Sequence, residues 1–322
     1  MSTKHLIVIH GSSTKPQRRI LARLVRRATT EGLRRVDSFA AGKLETSGIK
    51  FTLVYYGDIT NELMVRAEPE LKKSMIKRGG RWYQPHNSDE MNLERLIAWP
   101  TRKHTQGHYR ELIRKTPNRR LLDHVARVVS PVASVMGLGS YAIRRLFPDL
   151  AAYLNSRAWG SELRTRLQGP LRRALSRGED VALVAHSMGC IVSYDVLWKL
   201  SRMSEYRSVH DRKVSLWLTL GNPLGEPTIK AMLYDANEPN DGLFPANLVD
   251  WVNIAAQDDL VARDRTVADD FQEMIRRKLL RRIKDHRRIY SFWVGARGSN
   301  PHKSYGYLNH PSVARVLARW MR

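Results

Sequence analysis

Short apolar runs that end in turn residues and alternate with helical stretches constrain the fold of this 322-residue chain more than any other feature. Such runs cover residues 5–9, 51–56, 181–185, 214–220, 248–256 and 288–294. Strands that are separated by helices form a parallel sheet, whose ligands bind at the carboxyl ends of the strands. The sequence therefore predicts an α/β fold with a mostly parallel central sheet flanked by helices.

Residues 60–178 interrupt this alternation. Helical stretches and turn clusters fill the segment, and no strong strand is predicted there. We therefore expect a core made of residues 1–59 and 179–322, with a large helical cap insertion at 60–178 whose last helix rejoins the core. The apolar stretch 128–143 fits an acyl pocket, a membrane contact or a buried helix pair within the cap.

The turn at residues 185–189, with the sequence Ala-His-Ser-Met-Gly, carries the clearest chemical signal. The pattern is weak alone, but here it ends an apolar strand and opens an apolar helix, as a nucleophile elbow requires. A serine in so sharp a turn is strained, so its neighbours must be small, and Ala185 and Gly189 are. The helix start places the Met188 N–H and a positive dipole end beside Ser187. Ser187 is the predicted nucleophile.

At this turn the chain resembles the α/β-hydrolase superfamily, and particularly its lipase- and esterase-like members. The resemblance implies a Ser, Asp or Glu, and His triad in that chain order, with an oxyanion hole of two backbone N–H groups. It covers residues 5–56 and 181–322. Two features depart from the pattern: Ala185 stands where Gly is commoner, and the first strand already ends in His-Gly, which usually follows the third strand.

The loop after the first strand fits the oxyanion hole. His10 and Gly11 end that strand, and glycine lets the backbone bend toward a substrate. The N–H of Ser12, or that of Gly11, is expected to be the second donor beside Met188. A simple glycine turn at the end of a strand is the alternative.

The triad acid is expected after a late strand. Asp258 and Asp259 directly follow the run 248–256, and residues 258–261 look like the superfamily's Asp-x-x-Val, which selects Asp258. Asp259, or Glu226 after the preceding strand, remains an alternative.

The base is expected after the last strand. His302 lies in the loop before the closing helix 311–321, where it would take a proton from Ser187. His310 directly precedes Pro311 and better suits a helix-entry position. His186 stands beside the nucleophile but is expected to be structural.

Charge and composition bear on partners and cofactors. The chain holds 55 Lys and Arg against 31 Asp and Glu, a net charge of +24. A basic amphipathic helix predicted at 274–290 suits an anionic membrane surface or packs on the sheet. Few aromatic residues interleave with the basic runs, which disfavours nucleic acid. A single cysteine, scattered histidines and the lack of a glycine-rich phosphate loop predict neither a metal nor a cofactor.

These features predict a serine hydrolase that cleaves a carboxylic ester of a small-molecule or lipid-like acyl substrate through an acyl-enzyme. An acyltransferase or thioesterase with the same triad is one alternative. A non-catalytic hydrolase-fold protein that binds anionic membrane or nucleic acid through its basic surface is another. The sequence shows no secretory leader and no apolar run of the roughly 20 residues that span a bilayer, so a cytoplasmic protein is expected, although leaderless export would leave the same sequence.

Overall fold

A computed structural model describes residues 2–116, 147–295 and 298–322 of the chain. The predicted apolar stretch at 128–143 lies outside the described residues. The strands are β1 (Lys4–Ile9), β2 (Lys50–Val54), β3 (Ile76–Arg78), β4 (Arg81–Tyr83), β5 (Asp180–His186), β6 (Val214–Leu220), β7 (Leu248–Ala256), β8 (Arg282–Ile289), β9 (Val294–Gly295) and β10 (Gly298–Ser299).

Helices cover much of the rest of the described chain. The α-helices are α1 (Arg18–Arg34), α2 (Ser38–Glu45), α3 (Gly57–Ala67), α4 (Asn87–Ala98), α5 (Gln106–Lys115), α6 (Pro148–Asn155), α7 (Arg157–Ser176), α8 (Met188–Arg202), α9 (Pro227–Lys230), α10 (Gln272–Arg276), α11 (Ser304–Leu308) and α12 (Pro311–Met321). Turns of 3-10 helix lie at Pro69–Ser74, Thr101–Lys103, Ser204–Val209 and Asn240–Gly242.

Six strands form one parallel sheet in the order β2-β1-β5-β6-β7-β8. The predicted α/β class with a parallel central sheet flanked by helices is therefore confirmed. The chain passes from β1 to β2 at one edge and later adds β5 on the other side of β1. The strand order thus reverses between β1 and β5, and this is where open α/β sheets bind their ligands.

Both faces of the sheet are covered, which explains the apolar character of its strands. Strand β5 is buried from Val181 to its end. On one face Leu183 and Trp217 pack in the core that helices α7 and α8 complete. On the other face Val184 and Leu218 pack in the core that helices α1 and α12 complete. Alternate residues of one strand therefore serve both cores.

The closing helix α12 has the bounds that the sequence predicts. Its N-cap is His310, whose Nδ1 accepts a hydrogen bond from the Ser312 N–H at 3.1 Å, and Pro311 occupies the first turn. The interpretation of His310 as a helix-entry residue is confirmed.

The basic helix predicted at 274–290 is wrong. Helix α10 ends at Arg276, Lys278 adopts a φ of 55°, and the edge strand β8 begins at Arg282. The last strand predicted at 288–294 accordingly lies too late in the sequence. The apolar residues have helical spacing, but two tertiary contacts favour a strand here. Strand β8 pairs with β7, and its Asp285 carboxylate accepts a hydrogen bond from the Val267 N–H at 3.1 Å. Residues 274–290 therefore form no basic amphipathic helix that could lie on an anionic membrane surface.

The described part of segment 60–178 holds helices, together with a hairpin that the sequence pattern did not predict. Strands β3 and β4 pair antiparallel around Gly79 and Gly80, whose φ values of 54° and 73° suit a tight hairpin turn. Helix α7, just before β5, buries Leu163 and Leu167 in the core. Within the described residues, no helix combines the length and the apolar character needed to cross a bilayer.

Candidate active site

Ser187 stands at a strained turn between β5 and α8. Its φ of 55° and ψ of −126° lie in a region that side chains other than glycine rarely adopt. Close packing enforces the small neighbours. A Cβ on Gly189 would lie 2.7 Å from the His10 carbonyl oxygen, and a Cβ on Gly11 would lie 2.7 Å from the Ser187 Cβ. The turn therefore presents Ser187 at the carboxyl edge of the sheet, directly against the loop after β1.

The His302 ring joins Ser187 to a carboxylate. Its Nε2 lies 2.9 Å from the Ser187 Oγ, and its Nδ1 lies 2.9 and 2.8 Å from the Oδ1 and Oδ2 of Asp259. In the neutral ring, Nδ1–H donates to Asp259, which leaves Nε2 to accept the hydroxyl proton of Ser187. We call these three side chains the Ser187 network.

Asp259 is held as a buried anion. Besides the His302 ring, the Tyr307 hydroxyl donates to its Oδ2 at 2.6 Å and the Val261 N–H donates to its Oδ1 at 3.0 Å. Burial alone would raise the pKa of Asp259, but the charge and hydrogen bond of His302 and the Tyr307 hydrogen bond outweigh it and lower the pKa to about 2. The carboxylate therefore stays ionised and stabilises a positive charge on His302.

The predicted acid, Asp258, does not contact His302, whereas the alternative, Asp259, does. The Asp259 N–H donates to the Ala256 carbonyl at 3.2 Å, a turn that aims the third residue after β7 at His302. Asp258 lies beside Tyr109 instead: burial raises the pKa of that phenol, and the charge of Asp258 raises it further. The other alternative, Glu226, occupies the N-cap position of helix α9.

His186 and Gly221 fix the position of the His302 ring. The His186 Nε2–H donates to the His302 carbonyl oxygen at 2.7 Å, and the two ring centres lie 4.7 Å apart. Burial, and secondly the charge of His302, lower the pKa of His186, so its ring stays neutral. Gly221 has a φ of 55°, and a Cβ there would lie 3.0 Å from the His302 Nδ1. The sequence analysis identified neither Gly221 nor Tyr307, because the residues that they contact in the site lie far from them along the chain.

The loop after β1 is fastened beside Ser187. The Ser12 hydroxyl donates to the Asp149 Oδ1 at 2.9 Å, and the Ser13 N–H donates to its Oδ2 at 2.7 Å. Lys15 Nζ donates to the carbonyl oxygens of Ser12 and Ser13, the latter at 3.0 Å. These contacts fix a loop in which Ser13 has a φ of 79°. Asp149 lies in the first turn of α6, and the sequence analysis assigned it no role in the site.

The three residues predicted to supply oxyanion donors lie close to Ser187. Gly11 and Ser12 line the cavity that also holds Ser187. Met188 is the first residue of α8, and the first N–H groups of a helix have no acceptor within the helix. The backbone at this position is therefore suited to stabilising a negative charge next to the Ser187 Oγ.

A cavity of about 560 Å³ opens on Ser187 and His302. One part of its wall comes from the sheet core, through the loop after β1 and the loop that carries His302. The 60–178 segment contributes a second part, made of Leu71, Gln84, Ser88, Asp89 and Phe147. This volume suits a small ligand.

Metal-dependent chemistry and a cysteine nucleophile have less support around this cavity. Among the residues that the structure describes, no three His, Cys, Asp or Glu side chains are grouped so as to hold a metal ion. Cys190 is buried in α8, and burial raises the pKa of its thiol, which leaves it a poor nucleophile.

Comparison of the chain with known proteins gives no match to a family model, to a curated protein or to a solved structure. A serine hydroxyl bonded to an imidazole that a buried carboxylate orients is an arrangement for nucleophilic attack on a carbonyl.

Proposed function

We propose that the protein is a serine hydrolase of the α/β-hydrolase type that cleaves a carboxylic ester through an acyl-enzyme on Ser187. The observation that carries the proposal is the hydrogen-bonded Ser187 network, with its 2.9 Å contact between the Ser187 Oγ and the His302 Nε2. The strained turn, the helix start and the cavity support it.

Acylation begins with a proton transfer from the Ser187 hydroxyl to the His302 Nε2. The Ser187 Oγ attacks the ester carbonyl carbon, and the carbonyl oxygen takes the negative charge beside the N–H groups of Met188 and Ser12. Asp259 stabilises the imidazolium that forms. As the tetrahedral intermediate collapses, the bond to the leaving alkoxide breaks and His302 returns the proton to it.

Deacylation repeats these steps with water. His302 takes a proton from the water molecule, whose oxygen attacks the acyl carbon, and then protonates the Ser187 Oγ as it leaves. The carboxylic acid product departs and the hydroxyl is restored. Because an alcohol or a thiol can replace water, and a thioester can replace the ester, acyl transfer and thioester hydrolysis use the same residues.

We further propose that the 60–178 segment acts as a cap that selects the substrate. Its support is the set of cavity-lining residues that the segment contributes, among them Leu71, Asp89 and Phe147. A small-molecule or acyl substrate that reaches Ser187 would pass between this segment and the sheet edge.

Labelling with a fluorophosphonate probe tests the proposal. We expect the folded protein to be labelled on Ser187 and to hydrolyse p-nitrophenyl esters, and Ser187→Ala to lose both properties. Ser208→Ala, which alters an exposed serine, serves as the control and should keep both. A folded protein that is neither labelled nor active would instead favour the non-catalytic binding function, which liposome co-sedimentation with anionic lipid would then test.

A further inference from the structure

Two lysines line the cavity, and the proposed mechanism uses neither of them. Lys15 comes from the loop after β1, and Lys303 directly follows His302 in the chain. They therefore reach the cavity from the two loops that flank Ser187.

Lys303 is held in a fixed position. Its Nζ lies 2.9 Å from the Asp89 Oδ2 and 5.6 and 5.2 Å from the ring centres of Trp293 and Tyr305. Its side chain is only 25% exposed, so its ammonium group does not extend freely into solvent. An ammonium has three N–H donors, so the contact with Asp89 leaves donors available to a ligand in the cavity.

Lys15 is affected by the charge of Lys303. Burial, and secondly the positive charge of Lys303, lower the pKa of Lys15 to about 7, against the opposing effects of Asp149 and Asp89. Two ammonium groups that repel each other raise the electrostatic energy of the cavity wall. An anion bound between them would offset this repulsion with two attractions.

The described wall of the cavity has more positively than negatively charged side chains, which favours binding of such an anion. Among the described lining residues, Asp89 is the one carboxylate that faces the two lysines. Asp149 lies behind the wall, where Ser12 and Ser13 occupy its oxygens. The wall therefore carries an excess of positive charge next to the reacting serine.

We propose that this cavity is a subsite for an anionic group of the substrate, a carboxylate or a phosphate, that Lys15 and Lys303 bind beside the carbonyl attacked by Ser187. The inference rests on the proposed hydrolase function and specifies its substrate class: esters that carry a negative charge close to the scissile bond.

Esters of equal length test the proposal. Mono-p-nitrophenyl glutarate and p-nitrophenyl valerate differ in the terminal carboxylate of the acyl chain, and 4-carboxyphenyl valerate and phenyl valerate differ in a carboxylate on the leaving group. We expect kcat/KM to favour the charged member of at least one pair by roughly 10- to 100-fold, as hydrogen bonds to charged groups do. The favoured pair identifies the side of the ester that carries the anion.

Two variants should shift this preference in opposite directions. Lys303→Gln removes a positive charge and should reduce the ratio of charged to neutral kcat/KM by about tenfold. Asp89→Asn removes the competing carboxylate and should raise the same ratio, which a merely structural role of either residue would not do. Lys213→Gln, an exposed lysine outside the cavity, should leave the ratio unchanged.

The outcomes separate this inference from the function on which it rests. If fluorophosphonate labels Ser187 but neutral esters are preferred in both pairs, the subsite is wrong and the hydrolase stands. A ratio that Lys303→Gln and Asp89→Asn both leave unchanged also overturns the subsite. Absence of label in the wild-type protein overturns the hydrolase itself.

Discussion

The two ends of the sheet hold similar hydrogen-bonded networks. At the amino end, the His5 Nδ1 lies 2.6 Å from the Glu179 Oε2, and the His5 Nε2 lies 2.8 Å from the Thr52 Oγ1. We call this carboxylate, imidazole and hydroxyl the Thr52 network. By side-chain distances alone it matches the Ser187 network at the carboxyl end.

The surroundings of the two hydroxyl groups differ. Thr52 lies inside strand β2, paired with Ile7 of β1, whereas Ser187 lies at a positive φ where α8 begins and faces a cavity. Glu179 also pairs with Lys50, so its charge is already compensated. A carboxylate, an imidazole and a hydroxyl joined by hydrogen bonds therefore do not by themselves define an active site. The turn, the helix start and the open space beside the hydroxyl distinguish the Ser187 network.

The largest expected effect comes from removing the carboxylate of each network. Asp259→Asn should lower kcat for an activated ester by roughly 10³- to 10⁴-fold, because the amide no longer holds His302 in the tautomer that accepts a proton. Glu179→Gln should leave kcat within about twofold. Steady-state kinetics on both variants measure the contrast.

Asp258→Asn is the matched control, since it alters the neighbouring carboxylate that does not contact His302. It should leave kcat nearly unchanged. Equal losses in the Asp258 and Asp259 variants, or a large loss in Glu179→Gln, would show that the Ser187 network is not the reacting one.

The next effect tests the close approach of backbone to Ser187. Gly11→Ala places a methyl group where only 2.7 Å separates the new Cβ from the Ser187 Cβ, so the loop or the turn must move. A displacement of about 1 Å should lower kcat/KM by about 100-fold. Gly42→Ala, where an added Cβ meets nothing within 4 Å, is the control and should leave activity unchanged. Full activity of Gly11→Ala would remove this loop from the site.

A smaller effect is expected from the second donor to Asp259. Tyr307→Phe removes the 2.6 Å hydrogen bond to the carboxylate and leaves the Ala256 N–H, which donates to the Tyr307 oxygen at 2.8 Å, without its acceptor. We expect kcat to fall by about tenfold with little change in KM, since Tyr307 does not line the cavity beside Ser187. Tyr206→Phe, far from the site, should have no effect on either constant. A change confined to KM would contradict the positioning role.

Local patterns predicted much of the fold and the contact between Ser187 and His302. Strands β6 and β7 and helix α12 have the predicted bounds because each apolar run ends at clear turn residues. Ser187 and His302 were identified because one stands at a strand–helix turn and the other in the loop after the last strand. These signals lie within a few residues of the chemistry that they indicate.

Features that depend on tertiary contacts were not predictable. The choice between Asp258 and Asp259 is made by one turn hydrogen bond, which adjacent carboxylates do not reveal. Strand β8 was not predicted because hydrogen bonding to β7, and not the spacing of its apolar residues, determines its conformation. Asp149 accepts a hydrogen bond from Ser12 in the loop after β1, although 137 positions separate the two residues along the chain.

The smallest effect concerns stability at the amino end. Burial opposes ionisation of Glu179, but hydrogen bonds from Lys50 and His5 outweigh it and lower the pKa of the carboxyl below its ordinary value. A lowered pKa adds stability that is present above the ordinary value and is lost as the pH falls through the folded-state value.

Glu179→Gln should therefore lower the free energy of unfolding by about 1 kcal/mol at pH 7. Urea denaturation should show this difference shrinking as the pH falls from the ordinary pKa of about 4 toward the lower folded-state value, below which the wild-type carboxyl is also neutral. Glu70→Gln, in a pair with Lys73 whose side chains are about 80% exposed, should change stability by only a few tenths of a kcal/mol at any pH. A Glu179→Gln difference that does not shrink below about pH 4 would mean that the Thr52 network does not hold an ionised carboxylate, and the two ends of the sheet would then differ in charge as well as in surroundings.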